Sequence, residues 1–309
     1  MRIESTDTRF RALDGLYLAG TLTLPAQPRG PAVVLLHGNG VTREECGLFT
    51  RLAAALGRAG VPSLRFDLRA HGESEGSQQD RTLSSHLNDI RVALAHVREM
   101  TGVEATNLVG TSFSGGLAAY YAAKQPTEVG RLVLLNPQLD HKHRFIDQKP
   151  WWVNDFLDEE QAQQLRERGF LDHSPTVQHG RALLNEVFWI RAFTVLDEIL
   201  APTLIVHGTE DTFVPIDSSH AAIKRLKDGD ALVQIEGAAH GFAVRGDPDY
   251  LDPQTHRWQA IAIQKVVDWL TSPVHWENMS GQRTGTRTSK TAVELPSNLW
   301  WMGCPWWVG

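Results

Sequence analysis

Along this chain, short runs of consecutive apolar residues alternate with stretches whose apolar positions recur at helical spacing. Ala32 to Leu36 is a continuous apolar run, the pattern of a strand buried on both faces of a parallel sheet. Further runs cover residues 62–68, 105–109, 131–136, 202–207 and 231–235. Between them, Leu48, Leu52, Ala55 and Leu56 predict a helix over about 44–59. Other helices are predicted over about 83–100, 117–124, 218–226 and 256–270. Near the start, two alternating runs between Arg9 and Leu24 flank Asp14-Gly15, a hairpin signal. Regular alternation of strand and helix predicts an α/β architecture: a doubly wound, mostly parallel sheet of about eight strands.

The regularity breaks after the sixth strand. About sixty residues, 141–200, separate it from the next, which is too long for a bare loop. The segment reads as helix-like and aromatic, with Trp151, Trp152, Phe156, Phe170, Phe188 and Trp189. A small helical cap is therefore expected there, dividing the core into residues 1–140 and 201–272. Beyond Ser272 the composition changes again: residues 280–289 are polar and Gly/Thr-rich, and 299–307 carry four of the ten tryptophans. With no periodicity tying it to the rest, 273–309 is expected to be a disordered or loosely docked tail.

Composition narrows the class only modestly. The 309 residues are 42% hydrophobic and 21% charged, which suits one large domain. A net charge of −6 gives no reason to propose a nucleic-acid partner. Cys46 and Cys304 are too few for a disulfide framework and lack metal spacing. The opening, Met1 to Asp7, has no apolar leader region, and no run approaches the roughly 18 residues needed to span a bilayer. The expectation is a cytoplasmic protein without a membrane span; oligomeric state is not legible.

The chemistry concentrates where strands end. In Leu108-Val109-Gly110-Thr111-Ser112-Phe113-Ser114-Gly115-Gly116 a strand stops at a small-residue turn and a helix begins at once. That is the recipe of a nucleophile elbow, which lifts a serine above the sheet at a helix N-terminus. Ser112 fits with Gly110 two residues before it, but Ser114 stands where a second glycine is usual and is a rival nucleophile. A plain helix N-cap is the bland account of Ser112. Asp211, with Glu210 beside it, follows the strand 202–207; His240, among small residues, follows the strand 231–235. The order Ser, Asp, His is the one an elbow serine requires, with histidine as base and aspartate as its orienter. Gly38-Asn39-Gly40 lacks nucleotide-binding spacing.

These motifs, with His37-Gly38-Asn39-Gly40 and Asp67-Leu68-Arg69-Ala70-His71-Gly72-Glu73-Ser74, resemble the α/β-hydrolase superfamily over about residues 9–272. Within it the chain is most similar to the capped bacterial esterase, lysophospholipase and cinnamoyl-esterase-like group. The resemblance implies an α/β-hydrolase fold and a serine hydrolase that cleaves small-molecule carboxylic esters or thioesters of modest, apolar acyl groups. It implies Ser112, Asp211 and His240 as catalytic residues and the backbone N–H groups of Asn39 and Phe113 as the oxyanion hole. It calls for no metal or cofactor. Acyl transfer or peptide cleavage on the same triad, and a hydrolase-like receptor with little turnover, are the alternatives.

Among the remaining motifs, the Asp67, Arg69, His71 turn reads as structural, with Ala70 departing from the usual glycine. His141-Lys142-His143-Arg144 is a basic cluster past a strand end: a solvated loop, or a group that meets an anionic part of a substrate. Some cap aromatics should face the site, because acyl pockets are mostly apolar, and Trp151, Trp152, Phe188 and Trp189 are the candidates.

Overall fold

The computed structural model describes residues 2–272, apart from 228 and 248. The expected tail, 273–309, lies outside the described residues. The first strands are β1 (Ile3–Arg11) and β2 (Tyr17–Pro25), an antiparallel hairpin whose Gly15 takes a φ of +96° in the turn. β3 (Ala32–Leu36), β4 (Ser63–Phe66), β5 (Thr106–Thr111) and β6 (Leu132–Leu135) follow, interleaved with helices α1 (Leu48–Arg58), α2 (Leu83–Thr101) and α3 (Phe113–Lys124).

Residues between β6 and the next sheet strand form the insertion. It contains a wide helical turn (His143–Asp147), two short hairpins, β7 (Trp152–Val153) with β8 (Phe156–Leu157) and β9 (Phe170–Ser174) with β10 (Val177–Gly180), and helices α4 (Glu159–Arg168) and α5 (Arg181–Glu186). The insertion is therefore mixed rather than purely helical. Its strands are only two to five residues long, too short for alternation to stand out against helical spacing. β11 (Thr203–Gly208), α6 (Asp217–Ile223), β12 (Ala231–Ile235) and α7 (Pro253–Thr271) follow.

The eight-stranded sheet runs β1-β2-β4-β3-β5-β6-β11-β12, parallel from β4 onward. Alternating side chains feed two cores. Val34, Leu36, Leu108, Leu132 and Leu134 pack with Ile90, Leu94 and Val97 of α2 and Leu117 of α3. Val33, Leu35, Val109, Val133 and Val206 pack on the other face with Phe49, Leu52 and Leu56 of α1 and Ala262 and Val266 of α7. All five residues of β3 are fully buried, which is why that strand reads as an unbroken apolar run. The insertion joins the first of these cores through Phe145, Ile146, Leu171 and Leu183, so it is packed on the sheet layer. β3, β5, β11 and β12 all point their C-terminal ends to one edge, where an open α/β sheet gathers its chemistry.

Candidate active site

Ser112 sits between β5 and α3 with φ +50° and ψ −120°, a conformation that L-residues rarely adopt. Close packing on both sides makes that turn possible. A Cβ on Gly110 would lie 2.5 Å from the Ser114 carbonyl oxygen, and one on Gly115 would lie 2.6 Å from Pro137 Cβ. The strained serine is anchored through its backbone: Ser112 N–H donates to Leu135 O (2.9 Å), and Ser112 O accepts from Gly115 N (2.9 Å) and Gln138 N (2.8 Å). Ser114 is fully buried, and its hydroxyl donates to the His37 carbonyl oxygen at 2.5 Å. It points away from solvent into the packing between α3 and the loop after β3.

Around Ser112 the other sequence candidates converge. Ser112 Oγ is 3.0 Å from His240 Nε2, and His240 Nδ1 is 2.6 Å from Asp211 Oδ2. Asp211 is buried, and its other oxygen accepts from Phe213 N (2.9 Å) and Val214 N (2.8 Å). Burial would push this carboxyl up, but the charge of His240 and hydrogen bonds from His207, His240 and the Val214 amide outweigh it. Its pKa falls well below the usual carboxylate range. Glu210 is exposed and makes no such contacts, its backbone N–H bonding Ala238 O instead. His240 itself opens a short turn in which Gly241 takes φ +69°, and a Cβ there would lie 2.1 Å from the Tyr250 hydroxyl. Gly241 O also accepts from Gln259 Nε2 of α7 (2.9 Å), tying the histidine loop to the second core.

The loop after β3 is held from several directions. His37 Nδ1 donates to Gly38 O (2.7 Å) and its Nε2 accepts from Leu68 N (2.9 Å). Gly40 N donates to His71 Nε2 (3.3 Å), and Gly38 N donates to Glu45 Oε2 (2.7 Å). Burial lowers the pKa of both histidines, which keeps them neutral pins. The amides on either side of Asn39 are thus occupied, and Asn39 lines the cavity that contains Ser112. Phe113, whose N–H opens α3, borders the same cavity. The Asp67 turn is structural in its contacts: Asp67 accepts from Arg43 and from Glu73 N, while Arg69 pairs with Asp89 at 2.6 Å and Asp14 at 2.7 Å.

The cavity holds about 500 Å³. Its cap-side wall comes from the turn after β6 and from the β9–β10 hairpin, including Arg144, Phe145, Lys149, His173 and Val177. The four aromatic candidates are not part of it. Trp151, Trp152, Phe188 and Trp189 lie elsewhere in the insertion: Trp152 and Phe188 pack together with ring centroids 6.2 Å apart, and Trp189 is 85% exposed. A row of aromatic residues in an insertion satisfies the insertion's own core first, and which faces the site depends on how the hairpins fold back. Conversely, sequence reasoning missed Glu45. The stretch Arg43-Glu44-Glu45-Cys46 reads as a polar helix start, but Glu45 and Cys46 take φ +45° and +51°, and the Glu45 carboxylate turns inward to Gly38 N. No local signal announces that reversal.

The sequence matches the family described as serine aminopeptidase, S33, over residues 27–247. It is 25% identical over 294 aligned residues to a monoacylglycerol lipase of Mycolicibacterium smegmatis, an alignment covering 85% of this chain and 96% of that protein. Among solved structures it is similar to ferulic-acid-bound Est1E of Butyrivibrio proteoclasticus, with 22% identity, a TM-score of 0.69, and coverage of 86% of this chain and 100% of that one. The monoacylglycerol lipase of Paleococcus ferrophilus is similar at 22% identity and a TM-score of 0.58, covering 88% of this chain and 99% of that one. At these identities the structural likenesses establish a common α/β-hydrolase fold.

Proposed function

The chain belongs to the serine aminopeptidase S33 family of α/β hydrolases, and on that premise we propose that it cleaves carboxylic esters or thioesters of small to medium acyl groups through an acyl-enzyme on Ser112. His240 Nε2 takes the Ser112 proton as Oγ attacks the carbonyl carbon, then delivers it to the departing alcohol or thiol. Asp211 holds the Nδ1–H tautomer and stabilises the imidazolium that forms. The N–H groups of Phe113 and Asn39 receive the developing oxyanion; a lost donor of this kind costs on the order of 10² to 10³ in rate. Water activated by the same histidine then releases the acid.

One observation carries the reading: the continuous relay Asp211–His240–Ser112, at 2.6 and 3.0 Å, opening on a cavity rather than closed over by core. A fluorophosphonate probe tests it. Wild-type protein should be labelled and should hydrolyse 4-nitrophenyl esters, and both properties should vanish in Ser112→Ala. Unchanged labelling of that variant would overturn the assignment.

A further inference from the structure

The cap-side wall of the cavity carries two cations that form no ion pair among the described residues. Arg144 and Lys149 both line it half-buried, and among the described residues no carboxylate oxygen lies within 4.0 Å of either. Neighbouring cations of the insertion behave differently. Lys142 pairs with Asp147 and Asp155, each at 2.7 Å, and Arg191 pairs with Asp140 at 2.7 Å. The one acidic residue in the described lining is Glu45, against the loop after β3, where its carboxylate accepts from Gly38 N at 2.7 Å. Burial raises that carboxyl to about 7, so near neutrality it is only about half ionised.

Arg144 is also held in place. Its guanidinium lies 4.0 Å over the Phe213 ring, and Nη1 donates to Gln148 Oε1 at 3.2 Å. Its Nε is buried and has no hydrogen-bond partner among the described residues. Phe213 in turn packs on His240 with centroids 4.9 Å apart, so the same ring contacts both the guanidinium and the imidazole. Burial lowers the pKa of Arg144 against the attraction of Asp211, a carboxylate already bonded to His240, and burial together with the nearby Arg144 charge lowers that of Lys149. His173 beside them is held neutral, chiefly by burial and then by the two cations, with its pKa pushed down to about 3. Two like charges half removed from water, with an unsatisfied buried donor, are destabilising until an anion arrives.

We propose that Arg144 and Lys149 form an anion subsite, and that the substrate is an ester carrying a carboxylate on the part that lies against the cap. This rests on the ester-hydrolase reading and narrows its substrate class. A planar guanidinium already stacked and oriented receives a carboxylate at little entropic cost, and Lys149, its ammonium 5.4 Å from the centre of the Trp151 ring, adds a second donor. The anion takes the place of a counter-ion that the described residues do not supply at that wall, and the charge contact fixes which way the ester lies across Ser112.

Matched substrates test this on the full-length protein. Mono-4-nitrophenyl adipate is compared with 4-nitrophenyl hexanoate, and 4-carboxyphenyl butyrate with phenyl butyrate, which places the carboxylate on the acyl or the alcohol side. In one of the two pairs kcat/KM should favour the anionic ester. That preference should fall by about tenfold or more in Arg144→Gln and in Lys149→Gln, chiefly through KM. Calorimetric titration with adipate, against hexanamide as the neutral control, reads the subsite without turnover and should show the same loss in both variants. A neutral preference in both pairs overturns the subsite, as does a charge preference that survives in both variants, or adipate binding no tighter than hexanamide. Hydrolysis that stays Ser112-dependent while charge goes unread refutes the subsite alone. Absence of fluorophosphonate labelling at Ser112 refutes the hydrolase reading, and adipate binding then judges the subsite by itself.

Discussion

The hydroxyl of Ser114 donates to the main-chain carbonyl of His37 at 2.5 Å, joining the first turn of the elbow helix to the loop that follows β3. The residue that departs from the usual glycine is thereby a strut between the two segments that supply the proposed oxyanion donors. Its hydroxyl is fully buried and already committed, which favours Ser112 over it as the proposed nucleophile. Ser114→Ala should keep fluorophosphonate labelling while losing about 1–3 kcal/mol of stability, because a buried acceptor loses its donor. Urea denaturation followed by labelling of the folded variant checks both halves; loss of labelling in a folded Ser114→Ala protein contradicts the assignment.

The relay of Ser112, His240 and Asp211 should behave as one unit. Ser112→Ala and His240→Ala are each expected to abolish nearly all ester hydrolysis, and the double variant to be little worse than either. Asp211→Asn leaves the shape but favours the wrong imidazole tautomer, and should lower kcat by about 10⁴. Single-turnover measurements on the three single variants and the double provide the check. Multiplicative losses would mean that these side chains act independently.

Glu45 sets a pH dependence with a definite sign. Its carboxyl is raised from an ordinary 4.5 to about 7, burial outweighing the Gly38 N–H and the attraction of His240. Between those two values the folded chain keeps a proton that the unfolded chain has released. This group's contribution to stability therefore falls as pH rises from about 4.5 to about 7. Glu45→Gln should flatten that part of the profile and gain on wild type above neutrality. Urea midpoints at pH 5 and pH 8 decide it: parallel profiles for the two proteins would show that Glu45 does not titrate in this window.

Ala70 occupies a left-handed position, φ +63°, in the turn that follows β4. Left-handed backbone costs an L-residue roughly 1–2 kcal/mol, and the extra unfolded-state freedom of glycine returns about 0.4–1 kcal/mol of that. Ala70→Gly should therefore stabilise by about 0.5–1 kcal/mol, a rise in melting temperature of roughly 1–4 °C. Differential scanning calorimetry reads this directly, and a lowered melting temperature would show that the turn is not relaxed by glycine.

By itself the sequence determined whatever is encoded locally. The unbroken apolar runs of β3 and β6, the Asp14-Gly15 turn and the strand–turn–helix around Ser112 depend on burial and backbone geometry that neighbouring residues share, so the α/β order was legible from pattern alone. Ser112, Asp211 and His240 stood out because each lies at or just beyond the C-terminal end of a strand of one sheet, and parallel strands carry such positions to a common edge. Tertiary structure decided the rest. Ser114 became a strut only because α3 packs against the His37 carbonyl, and Glu45 became a buried neighbour of Gly38 only because the chain reverses through left-handed backbone. The cavity wall fell to Arg144, Lys149 and His173 rather than to the tryptophans, since the insertion's hairpins are placed by long-range packing on the sheet layer, which no spacing along the chain records.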